Sequence, residues 1–94
     1  MDKDEFVEKI IKNQANVIHV EFDEDEDEVD VVYDVTDLDT GEYDPLAVID
    51  AANMAHEHNV NGKLISLNFF EDDEVRCARL CLKKEIMDGD DLLL

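Results

Sequence analysis

The chain's 94 residues suffice for one domain with a modest core and exclude a second. Hydrophobic residues make up 45% of it, an ordinary globular fraction, so the charge is laid over a foldable apolar pattern. That charge, 27 acids against 8 bases for a net −19, far exceeds the magnitude of about 2 to 8 usual for a small domain; it repels nucleic acid and anionic membranes and calls for a basic partner.

No apolar run reaches the roughly 18 residues of a membrane span. Met1-Asp2-Lys3-Asp4-Glu5 is the reverse of a basic signal-peptide start, so the expected compartment is the cytoplasm. Cys77 and Cys81 are the only cysteines. On one strand they would stand about 13 Å apart, too far to bridge, and reduced buried thiols are expected.

Residues 2–13 read as a helix, with Asp2 and Glu5 as a capping box and Phe6, Val7, Ile10 and Ile11 on one arc. Glu5 with Lys9 and Glu8 with Lys12 are favourable i,i+4 pairs on its outer side. From Asn16 the period becomes two, with Ile18, Val20 and Phe22 inward and His19, Glu21 and Asp23 outward. A second alternation places Val29, Val31, Tyr33 and Val35 inward and Asp30, Asp34 and Thr36 outward. Between them, Asp23, Glu24, Asp25, Glu26, Asp27 and Glu28 form the acidic loop of a hairpin.

Turn chemistry follows from Asp37 to Gly41, and then Asp44-Pro45 pairs an N-cap with proline at the first helical position. This predicts a helix over 45–58 with Val48, Ile49, Ala52 and Ala55 inward and Asp50, Asn53 and Glu57 outward, stopped before Gly62. Residues 63–70 read as a strand on Ile65, Leu67 and Phe69, followed by a polar break over 71–74. Segment 75–84 alternates as a strand through Ala78, Leu80 and Leu82, yet Arg76, Arg79 and Lys83 would line one face of a helix. The strand is preferred and the helix stays open. Residues 88–94 read as a frayed tail beyond a domain spanning 1–87, and no internal repeat of useful length stands out. The order α-β-β-α-β-β implies an α+β fold of two layers, an antiparallel sheet of about four strands with two helices on one face.

The acids are segregated along the chain. Between Asn13 and Gly62 there are fifteen and not one lysine or arginine, and the flanks hold the other twelve with all eight bases. Outward carboxylates two residues apart on a strand stand about 6.8 Å apart, close to the interval between phosphates on one DNA strand. The alternative is a solvated acidic face that serves solubility alone.

Other chemistries fit poorly. Asp37-x-Asp39-x-Gly41 has the start of a calcium loop, but Gly41 and Glu42 stand where a ligand and glycine belong, and Val48 stands in place of the bidentate Glu. His56 and His58 lie about 200° apart around a helix and cannot share a zinc ion with Cys77 and Cys81; His56 is expected at the edge of the core. Ser66 and the two cysteines are the only candidate nucleophiles, and so negative a field disfavours a thiolate. No metal, no cofactor and no catalysis are expected.

In size, in charge and in its base-free stretch through residues 23–28, the chain resembles the DNA-mimic inhibitors. These are small acidic proteins carried mostly by phages and mobile elements, among them inhibitors of uracil-DNA glycosylase, restriction enzymes, CRISPR nucleases and the histone-like HU protein. The resemblance implies occlusion of the nucleic-acid-binding surface of a basic protein, in the host cytoplasm if phage-encoded, with charge-steered association. The expected contacts are Glu21, Asp23, Glu24, Asp25, Glu26, Asp27, Glu28, Asp30, Asp34, Asp37, Asp39, Asp44 and Asp50, with Tyr43 or an exposed Val32 as apolar anchor. A homodimer through a free sheet edge is compatible with this. The competing reading is an immunity or adaptor protein that binds one basic toxin or partner by shape, and a third is a metal-buffering domain.

Overall fold

The Asp2 carboxylate accepts a hydrogen bond from the Glu5 amide at 2.9 Å and starts α1 (Lys3–Asn13), the N-terminal cap that the sequence prescribes. The computed structural model describes residues 2–14 and 16–85, so the tail expected over 88–94 lies outside the described residues. Four strands follow in two hairpins, β1 (Val17–Asp23) with β2 (Glu28–Asp34) and β3 (Leu64–Asp72) with β4 (Val75–Lys83). Between the hairpins runs α2 (Pro45–Val60), capped by Asp44, whose Oδ1 accepts from the Leu46 amide at 3.0 Å. The fold is α+β with the element order α-β-β-α-β-β, and residues 75–83 form a strand.

The sheet is antiparallel throughout, in the order β1-β2-β4-β3. On one face Val29, Val31 and Tyr33 of β2 stand opposite Leu82, Leu80 and Ala78 of β4, and these join Phe6 and Ile10 of α1 and Ala51 and Ala55 of α2 in one core cluster. The other face carries Glu28, Asp30, Val32 and Asp34 opposite Lys83, Cys81, Arg79 and Cys77, as the two-residue period of a strand requires.

Inward assignments on three elements are corrected. A bulge between Val17 and His19 breaks the alternation of β1, so Val17 enters the core and Ile18 is 54% exposed. A bulge between Leu64 and Ser66 does the same to Ile65, and Leu64 takes the inward place. On α2 the buried residues are Ala51, Ala55 and His58, with Val48 partly buried and Ile49, Ala52 and His56 exposed. The core histidine is therefore His58.

These bulges also reveal a repeat that the residue order conceals. Val17-Ile18-His19-Val20 and Leu64-Ile65-Ser66-Leu67 each open an outer strand with the same irregularity, and each pairs with an inner strand on its own side. Superposing Val20 on Leu67 carries its partner Val31 onto Leu80, and those two residues are themselves opposite each other. The hairpins β1-β2 and β3-β4 are thus related by an approximate twofold passing between Val31 and Leu80.

Candidate functional site

The β1–β2 register decides which carboxylates stand together. Asp23 lies opposite Glu28 and Glu21 opposite Asp30, two pairs on the sheet face away from the core cluster, and Asp34 continues the same row on β2. From Glu28 to Asp34 the row runs about 20 Å at about 3.4 Å per residue. At its far end Asp34 and Asp72 both act on Cys77, so Asp72 of β3 extends the acidic face. Residue order alone does not mark Asp72 out; the hairpin register does.

The tip of the hairpin is ordered by its own acids. Asp23 Oδ1 accepts from the amides of Asp25 and Glu26, both at 3.1 Å, a side-chain turn that an aspartate closes without help. Asp27 adopts a φ of 55° to bring the chain into β2, and its carbonyl accepts from the Lys84 amide at 2.8 Å. Glu24, Asp25, Glu26 and Asp27 are exposed, with Glu24 in an ion pair with Lys3 of α1.

The remaining expected contacts are placed elsewhere. Asp37, Asp39, Tyr43 and Asp44 lie on the connection over 35–44, folded on itself by the Thr36–Tyr43 bridge. Here Asp37 Oδ1 accepts from the amides of Asp39 and Thr40 at 2.8 and 3.2 Å, and Gly41 supplies the φ of 75° that closes the turn. Asp50 is exposed on α2, a helix in contact with β3 and β4 and so displaced from the β1–β2 row. Neither expected anchor is free: Val32 is only 7% exposed, enclosed on a central strand between His19 and Arg79. Half-buried Tyr43 packs edge-on against Phe69 at 6.0 Å with the Arg76 guanidinium 5.7 Å from its ring.

The segregation of acids along the chain is only partly a segregation in space. Because β4 lies beside β2, Lys83 stands opposite Glu28 and Arg79 opposite Val32. Under the approximate twofold Asp30 corresponds to Arg79 and Asp34 to Lys83, so two acids of β2 have bases as their counterparts on β4, where the cations alternate with Cys77 and Cys81. Arg76 bridges Glu42 at 3.2 Å and Glu71 at 2.5 Å, and although burial pulls its guanidinium down, these two carboxylates hold it above its ordinary value.

Two thiols lie under this face. Cys77 and Cys81 are free and buried. The Cys81 Sγ lies 3.3 Å from Glu28 Oε2; burial, then hydrogen bonds to Asp30 and Glu28, push the thiol up to about 12. Burial, then Asp34 and Asp72, also raise Cys77. Both therefore stay protonated and unreactive at neutral pH. Asp30 is half-buried, with Oδ1 covered and unpaired among the described residues. Among the described residues no three His, Cys, Asp or Glu side chains are arranged to hold a metal ion, and no helix is long and apolar enough to cross a membrane. Comparison of the chain with protein families, with curated proteins and with solved structures finds no match.

Proposed function

We propose that this protein is a DNA-mimic inhibitor that occupies the nucleic-acid-binding surface of a basic DNA-binding protein and carries out no catalysis of its own, acting in the cytoplasm, that of the host if it is phage-encoded. The observation that carries the reading is the register of β1 and β2. It fixes Glu21, Asp23, Glu28, Asp30 and Asp34 on one sheet face, beside a hairpin tip bearing four more exposed acids. Alternate carboxylates spaced by about 6.8 Å on a rigid sheet offer a groove built for phosphates a substitute for a backbone. Asp37, Asp39, Asp44 and Asp50 stand outside this row and are assigned no direct contact with the phosphate-binding groove.

Competition tests the reading. A labelled duplex bound to a histone-like HU protein, a restriction enzyme or a CRISPR nuclease is titrated with this protein at low and at high salt. Displacement that weakens with salt, and that falls at least tenfold in the combined Glu21→Gln, Asp30→Asn, Asp34→Asn variant, is the expected result. Binding to a basic protein without loss of its DNA would instead support the immunity or adaptor reading. That second reading draws its own support from exposed aliphatic side chains on α2, which suit recognition by shape.

A further inference from the structure

The helix α2 has two apolar sides. Ala51, Ala55 and His58 face the core, yet Leu46, Ile49 and Val60 are 73%, 53% and 69% exposed. At 100° per residue Leu46, Ile49, Asn53 and Val60 fall within an arc of about 60°, centred almost opposite the buried side and running about 21 Å along the helix. A helix that is apolar all round is ordinarily enclosed, and large aliphatic side chains lined up in water on so acidic a chain mark a contact surface.

We propose that this outer face of α2 docks an amphipathic helix of a basic partner, one whose apolar stripe is bordered by lysine or arginine. The commitment to a basic helix comes from charge. Along α2 there is not one lysine or arginine, and Asp50 and Glu57 border the stripe on one side at helical positions adjoining Leu46 and Asn53. A second copy is disfavoured, since it would bring the same two acids and a further −19 to the contact. The mode is helix against helix, with Leu46 and Ile49, three residues apart, and Val60 at the far end as anchors and the acids selecting the partner. The inference rests on the reading of a basic partner given above and adds a second contact, on the opposite side of the sheet from the acidic row.

The test uses the full chain and three synthetic 18-residue peptides: an amphipathic leucine–lysine helix, a scrambled peptide of identical composition, and a leucine–glutamate counterpart. Binding is read by fluorescence anisotropy and mapped by amide chemical shifts. The amphipathic basic peptide is expected to bind at least tenfold more tightly than the scrambled one and to shift residues along the stripe. The combined Leu46→Ser, Ile49→Ser variant, and separately Val60→Ser, are expected to reduce that affinity at least tenfold and fivefold; these side chains are exposed, and circular dichroism confirms the folded state. Combined Glu21→Gln, Asp30→Asn on the sheet face should leave peptide affinity within twofold, which separates this site from the DNA-displacing surface: failure of the unsubstituted chain to displace DNA, with peptide binding intact, sinks only the mimic reading. Equal binding of the scrambled peptide, or no effect of the α2 substitutions, overturns the proposal. So does a concentration-dependent dimer in sedimentation velocity that the Leu46→Ser, Ile49→Ser variant abolishes, because the occupant is then a second copy.

Discussion

Glu21 and Asp30 stand directly opposite each other on adjacent strands, two like charges at the position where cross-strand side chains approach within about 5.5 Å. Such a pair weakens the sheet, and a fold that keeps it gives up stability for a surface. Glu21→Gln is therefore expected to raise stability by about 0.5 kcal/mol while lowering affinity for a basic partner. Urea unfolding reads the first effect and the competition assay the second; a variant that loses both stability and affinity contradicts the assignment.

Asp27 holds a φ of 55°, a conformation that costs most L-residues about 1 kcal/mol and glycine almost nothing. Asp27→Gly should therefore stabilise the chain by about 0.5 kcal/mol, and Asp27→Ala should destabilise it. Thermal melts of the two variants, which remove the same charge, separate backbone strain from electrostatics.

Arg76 joins Glu42, Glu71 and the Tyr43 ring, drawing the 35–44 connection onto the second hairpin. Its amide also donates to Thr36 Oγ1 at 2.8 Å. Arg76→Gln is expected to lower Tm by more than Arg79→Gln, whose side chain projects from an exposed position on the same strand. Equal losses would mean that only net charge matters.

The Cys81 thiol is held at about 12 in the folded chain against an ordinary value of 9.0. The folded state thus binds this proton more tightly than the unfolded state does. The corresponding stability is fully present below pH 9.0 and declines as pH rises from there toward about 12. Urea midpoints measured between pH 8 and pH 10.5 should fall, and Cys81→Ala should flatten that slope. At pH 8 a thiol reagent should modify neither cysteine until denaturant is added.

A net charge of −19 opposes the compact state, and salt relieves the repulsion. Raising sodium chloride from about 10 mM to about 0.5 M is expected to lift Tm by about 5 °C while weakening partner association. Opposite responses of folding and binding to one variable distinguish an acidic working face from charge that serves only to keep chains apart.

The elements were legible because each boundary has a local cause: Asp2 and Asp44 as caps, Pro45 at the first turn, and acidic turns after Phe22 and Phe70. Which side chains face inward was legible on β2, whose strict alternation survives into the structure. It was not legible at Ile18 and Ile65, because a bulge shifts the period without changing residue order. On α2 the apolar residues surround the helix, so periodicity selects no face and the close approach that small Ala51 and Ala55 permit decides. The acidic hairpin was readable as a block, but the bases that flank it in space were not: Lys3, Arg79 and Lys83 come from remote parts of the chain and are placed by contacts that residue order does not show.

The seam between β2 and β4 joins two hairpins of like register and unequal charge, the second holding all the lysines and arginines of the sheet. Were two copies of the first hairpin to meet about the same axis, Glu28 would confront Asp34 where it now meets Lys83, and Asp30 would replace Arg79 beside Val32. The cations of β4 therefore act as a key that admits the second half of the chain and rejects another first half. A backbone cut within 37–42 should still yield a whole protein, reassembled from unlike fragments only.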